Sequence, residues 1–194
     1  AALITATEAK SAALRDFDMR SRYSGDSATG SITDSVTVAT TGKGKEVVLG
    51  GPASKLGQLV GYCARKAVTK ALLKQEPVWA NRSVLDRLRE RHLPVEKLAA
   101  EVSKIEGLTV SAEQLREILA QNPWAGAVLL AAAKMDDDYK KNLLPTDYKN
   151  WATITKCFAT STKDCEQLVD CEVADLPPFL KETLIAIVKR RFSR

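Results

Sequence analysis

The sequence predicts an α/β (α+β) protein whose front part is a small sheet with covering helices and whose rear part is all-helical. Three observations carry this expectation. SVTVAT (Ser35–Thr40) alternates β-branched and small residues, and EVVL (Glu46–Leu49) follows shortly after it; both suit a pleated, half-buried surface. From Leu56 to Leu72 the apolar residues recur at intervals of three and four, the period of one helix face. After Pro77 helical spacing continues and strand signals are weak. The division falls near Glu76, with an α/β part over residues 1–76 and a helical domain over 77–194.

The elements follow in order. AALITA, at Ala1 to Ala6, is an apolar run with no turn residue before it, the pattern of a buried strand. TEAKSAALRDF continues as a helix, with Ala9, Ala12, Ala13 and Phe17 at helical spacing and Thr7 as its N-cap. A loop rich in hydroxyls and glycine then leads to Ser35–Thr40, the next expected strand. TGKGK reads as a turn, because its two glycines accept positive φ, and Glu46–Leu49 returns as the second strand of a hairpin. The long helix starts near Ser54, just after Pro52, and Pro77 ends it. Its apolar stripe, which includes Cys63, is expected to cover the strands. In the rear part residues 83–93, 95–106, 111–121, 124–135, 146–158, 163–173 and 178–192 read as helices. Ser111 with Gln114 forms a capping box, and Pro94, Gly107 and Pro123 act as punctuation.

Composition excludes several classes. Of 194 residues, 45% are hydrophobic and 27% charged, the balance of an ordinary globular chain with enough apolar material for a core. No apolar run approaches the roughly 20 residues needed to span a bilayer, and no secretion signal opens the chain, so a cytoplasmic location is expected. The net charge of +5 lies at the front: residues 1–75 carry 11 Lys/Arg against 6 Asp/Glu, and residues 76–194 carry 18 of each. No nucleic-acid reading motif accompanies that charge, so it reads as a solvated basic helix face. Cys63, Cys157, Cys165 and Cys171 lack metal-ligand spacing, and the single histidine, His92, stands apart from them in a charged helical segment. Reduced structural thiols and a surface histidine follow.

Three motifs, in one order, carry a resemblance. TATEAKSAAL, RYSGDSATGSITDSVTVAT and GGPASKLGQLVG resemble the second half of the adenosylcobinamide amidohydrolase family, whose corresponding segments run TATEAKTAAL, ATGTGTDAVVVA and AGPHTKLGELIG. The resemblance covers about residues 1–75 and does not reach the helical part. It implies hydrolysis of the amide joining the aminopropanol arm to the corrin ring, giving adenosylcobyric acid and aminopropanol in corrinoid salvage. The implied ligand is a bulky cationic corrinoid, with no cofactor required and no metal site. The chain departs from the pattern at Ile32, where the family has glycine, and at Gln58, where it has an acid. A family stretch ahead of TEAK, with a GVSNA-like motif, has no counterpart here. A strand expected at residue 1 without its neighbours points to a missing N-terminal half, or to a separate chain that completes the domain.

Amide hydrolysis needs a nucleophile, a proton shuttle and donors for the tetrahedral oxyanion. Asp34, the one acid of ATGSITD, is a candidate to orient or deprotonate a water, and equally a candidate Asx-turn residue. Ser31 and Thr33 offer hydroxyls to attack or to donate to the carbonyl. Lys55 lies in the first turn of the long helix, where the dipole disfavours a cation, so it is a candidate to polarise the substrate or activate a serine. Candidate binding residues are Glu8, Lys10, Ser24, Thr29, Gly30, Gly51 and Ser54. Which group is the nucleophile stays open. Two other readings compete: a corrinoid-binding or accessory protein that has lost catalysis, and a helical interaction module built on residues 77–194.

Overall fold

The computed structural model describes residues 1–75, 77–105, 108–144 and 176–192. The chain forms two compact units, Ala1–Arg82 and Ser83–Arg194. The expected helices at 146–158 and 163–173 lie outside the described residues, as do Gly107, Cys157, Cys165 and Cys171.

The front unit has two helices, α1 (Ala2–Asp16) and α2 (Lys55–Gln75), and a 3-10 turn over Pro77–Ala80. The predicted sheet is not there: among the described residues the only β pairing is an isolated antiparallel bridge between Arg20 and Ser27. AALITA is the first turn of α1 rather than a strand. Nothing between it and TEAKSAALRD breaks a helix, and extending a formed helix is far cheaper than starting a second element. Thr7 is therefore interior to α1, and its hydroxyl donates back to the Leu3 carbonyl (3.0 Å). Residues 35–49 run without a ladder partner. Gly42 and Gly44 do take positive φ (64° and 87°), so the turn chemistry is present without the pairing, in keeping with the marginal stability of a lone hairpin.

With no sheet to cover, α2 packs on α1, and only part of its apolar stripe is used. Val60, Ala64, Val68 and Leu72 are half-buried, while Leu56, Leu59, Cys63, Ala67 and Ala71 are exposed. The stripe is two ridges wide, and a single helix fills one. Contact is close where side chains vanish. Ser54 caps α2 by accepting from the Gly57 N–H (3.0 Å) and donates to the Gly51 carbonyl (2.8 Å). The Gly51 carbonyl lies where a Cβ on Gly57 would be. Thr5 Oγ1 donates to the Gly50 carbonyl (3.4 Å), so the GGPAS turn is held between both helices.

The rear unit packs α3 (Val84–Arg89), α4 (Val95–Val102), α5 (Ala112–Gln121), α6 (Pro123–Tyr139) and α7 (Pro178–Phe192) around Leu88, Leu98, Leu115, Leu129, Leu180 and Leu184, all fully buried. Ser111 and Gln114 make the expected capping box, and Ser83 with Asp86 makes a second. The start of α7 is capped from another helix: the buried Asp136 carboxylate accepts from the N–H groups of Phe179 (3.0 Å) and Leu180 (2.8 Å). Burial raises the Asp136 pKa from 3.8 to about 6, over the opposing pull of those two donors.

Three outcomes follow. Gly57→Ala forces a Cβ into the Gly51 carbonyl and should cost the front unit about 1–3 kcal/mol, seen as faster hydrogen exchange of α1 and α2 amides. Gly61→Ala meets Thr5 Cγ2 at an ordinary 3.6 Å, so helix propensity should leave it neutral or stabilising by up to about 1 kcal/mol. In the rear unit, a folded pKa above the unfolded one means the native state binds the extra proton. Asp136 therefore makes the unit more stable as pH falls from about 7 toward 4, and that contribution is lost as pH rises through about 6. Asp136→Asn should flatten this slope in thermal melts between pH 4 and 8.

Candidate functional site

The site is assembled on one side of α1 by loop 18–34. The chain leaves α1 through Asp18, in left-handed conformation (φ 48°), with Met19 N–H donating to the Leu14 carbonyl (3.0 Å). It then closes a small ring: Ser21 N–H donates to the Asp26 carbonyl and Ala28 N–H to the Met19 carbonyl, both at 2.8 Å. Ser24 belongs to this ring, accepting from the Asp26 N–H (3.2 Å). Beyond it the chain returns to α1, where Ser11 Oγ donates to the Thr29 carbonyl (3.2 Å).

One turn of loop then folds around Asp34. Its carboxylate accepts from Lys10 Nζ (2.6 Å), from the Ser31 N–H (2.8 Å) and from Ser31 Oγ (3.1 Å). Ser31 Oγ lies 2.9 Å from Thr33 Oγ1. Since the Ser31 proton goes to Asp34, Thr33 donates to Ser31, and the hydroxyls form a relay ending on the carboxylate. The Lys10 ammonium, followed by the Ser31 amide and hydroxyl, lowers the Asp34 pKa to about 2. The ion pair is partly open to water, at 21% and 35% side-chain exposure, so a ligand can reach it. Gly30 has φ 152°, and a Cβ there would collide with both Asp34 Oδ2 and Lys10 Nζ. Both atoms end side chains that can move aside, so a side chain at residue 30 would part the ion pair, and the φ itself is strained for any residue but glycine.

The structure thus brings together Lys10, Thr29, Gly30, Ser31, Thr33 and Asp34. Gly51 and Ser54 are engaged with each other at the cap of α2. Lys55 and Glu8 are exposed and, among the described residues, make no ion pair or side-chain hydrogen bond. Asp34 is not an Asx-turn residue looking forward along the chain; it reaches back to Ser31 and across to α1. Ile32 is fully exposed and its φ is not positive, so isoleucine carries no backbone penalty there. Sequence reasoning missed Ser11, whose role depends on α1 being helical at that point. Residues 10 and 11 both face the loop only because α1 runs unbroken through TEAKS.

Residues 1–79 match the family model for adenosylcobinamide amidohydrolase. This agrees with the resemblance read over about residues 1–75, and the match includes both Lys10 and Asp34. The match stops short of the helical unit. No curated protein and no solved structure matches the chain. Among the described residues no helix is long and apolar enough to cross a membrane, and no group of His, Cys, Asp and Glu could hold a metal ion.

The geometry sets a titration. The folded pKa of Asp34 lies below the usual 3.8, so the contact is complete at neutral pH and is lost as pH falls toward about 2. Carboxyl NMR should show this low midpoint in the wild-type chain. Lys10→Met and Gly30→Ala should each raise it toward 3.8, one by removing the ammonium and the other by separating the pair.

Proposed function

We propose that the front unit is the site of adenosylcobinamide amide hydrolysis, releasing aminopropanol and adenosylcobyric acid in a cytoplasmic salvage of corrinoids. The supporting observation is that the lysine of TEAK and the aspartate of ATGSITD, 24 positions apart, form one ion pair with Ser31 bonded to it. In this reading a water molecule adds to the amide carbonyl, the C–N bond breaks as Lys10 gives a proton to the departing amine, and the proton lost by the water restores the Lys10 ammonium. The amide N–H of Gly30 faces the carbonyl oxygen as charge develops on it, while the Ser31 amide and the Ser31 and Thr33 hydroxyls stay in the network around Asp34. Asp34 acts by orientation. A carboxylate with a pKa of about 2 is a poor proton acceptor at neutral pH, so it positions Lys10 and Ser31 rather than activating water itself. Lys55, exposed at the start of α2, plays a secondary part, and Glu8, Ser24, Gly51 and Ser54 frame the ligand.

A further polypeptide segment, from a separate chain or an N-terminal half, completes the domain in this proposal. It would cover the exposed ridge of α2 at Leu56 and Leu59 and the apolar residues of α1 at Leu3 and Ile4. The weak basicity of Asp34 favours a second reading, a corrinoid-binding protein without turnover.

Incubation with adenosylcobinamide and assay of free aminopropanol separates the two. Hydrolysis that falls by about 100-fold or more in Asp34→Ala and Lys10→Met, but only a few-fold in Lys55→Met, supports the amidohydrolase. A shifted corrinoid spectrum with no aminopropanol supports the binding protein. No spectral change and no product removes both.

A further inference from the structure

The ring that precedes the site is held by a residue outside the candidate set. Arg20 is one partner of the bridge with Ser27, and its side chain is only 3% exposed. Its guanidinium lies beneath the ring rather than in water. Nε and Nη2 both donate to Asp18 Oδ1 (3.0 and 2.8 Å), and Nη1 donates to the Gly25 carbonyl (3.4 Å). One planar fork therefore joins the exit of α1 to the far side of the ring, across Gly25, which is itself buried with φ 72°. No single-point cation could span those acceptors in the same way, because the fork geometry is fixed by the guanidinium plane.

What the ring holds is the start of the site. Ala28, whose N–H bonds back to Met19, stands two residues before Gly30. From there to Asp34 the path is short and is tied to α1 through Ser11 and Lys10. We propose that Arg20 is a positioning residue for the amide-hydrolysing site: by clamping Asp18 to Gly25 it fixes where residues 29–34 leave the ring, and hence the register in which Asp34 meets Lys10. This rests on the front unit being that site, but the contact it governs is measurable without any turnover. Arg20 touches neither Lys10 nor Asp34, so its effect is transmitted through the backbone of residues 25–30.

The test uses the full chain and two readouts. Arg20→Met should raise the carboxyl NMR midpoint of Asp34 from about 2 toward 3.8, with Arg20→Lys in between. With adenosylcobinamide as substrate, kcat should fall about 10- to 100-fold at nearly unchanged KM, the signature of misplaced groups rather than lost binding. Leu14→Ala is the control for simple loss of stability: it weakens the packing of α1, and the folded protein should keep the low Asp34 midpoint. If Arg20→Met does not fold, Asp18→Asn removes the ionic half of the clamp and should give the same shift in smaller measure. An Asp34 midpoint that stays near 2 in whichever of these variants folds overturns the proposal. A midpoint that rises in a chain with no hydrolytic activity upholds the positioning role and removes the amidohydrolase reading, so the two fail separately.

Discussion

The front unit depends on α1 being a single unbroken helix. Its residues meet the rest of the unit at regular intervals: Thr5 reaches the Gly50 carbonyl, Lys10 reaches Asp34, Ser11 holds Thr29, and Asp16 takes the guanidinium of Arg65 in a two-point ion pair. Lys10 and Ser11 are adjacent and point to neighbouring parts of one loop, which a strand would have sent to opposite faces. The helix therefore acts as a spine on which a long polar segment is hung at fixed heights. Little apolar burial supports that arrangement. In the front unit Ala13 and Leu14 are the buried hydrophobic residues among those described, so hydrogen bonds and close backbone approach define the site's shape.

Close approach is what GGPASKLG supplies. The capping serine, the two glycines before it and Gly57 one turn into α2 are mutually dependent. Ser54 cannot cap α2 while donating to Gly51 unless the Gly51 carbonyl can sit against Gly57. A side chain at residue 57 would push the turn outward, and with it the Gly50 carbonyl that Thr5 reaches from α1. A motif that looks like a loose connector is thus a close-packed joint between helix starts.

How much of this was legible in the sequence differs by element. The α2 period, the start at Ser54, the Ser111–Gln114 box and the rear helices up to 144 and from 178 rest on short-range chemistry, and the structure has them. The front sheet failed for two distinct reasons. The apolar content of AALITA suits a strand, but Ala and Leu are also strong helix formers and no breaker separates them from TEAK. Ser35–Thr40 and Glu46–Leu49 have strand composition, yet a strand exists only through its partner, and none is present among the described residues. The two-ridge stripe of α2 suits the footprint of a sheet, but α1 fills half of it. At the site, Asp34, Ser31, Thr33, Gly30, Thr29 and Lys10 were nameable from motif residues. Their pairing was not, since no local pattern tells a loop which helix residue it will meet. Lys55 stands out in the sequence for its unfavourable position against the helix dipole, and the structure leaves that position exposed to water, where the penalty is small.

The two units show the same chemical device under opposite conditions. Asp34 and Asp136 are both carboxylates accepting from backbone N–H groups across a loop or between helices. Asp34 keeps contact with water and gains the Lys10 ammonium, so its donors prevail and its pKa drops to about 2. Asp136 is 2% exposed, and the loss of hydration outweighs its two donors, so its pKa climbs to about 6. Hydrogen bonds stabilise the charged form in each case, but burial decides the sign. A charge that stays near water can keep its ionised form with the help of its own counter-ion, as Asp34 does with Lys10. A charge that serves as an internal cap, as Asp136 does, titrates higher because its two donors and the pull of Lys140 together do not make up for the lost water. That difference separates an open ion pair from a closed joint.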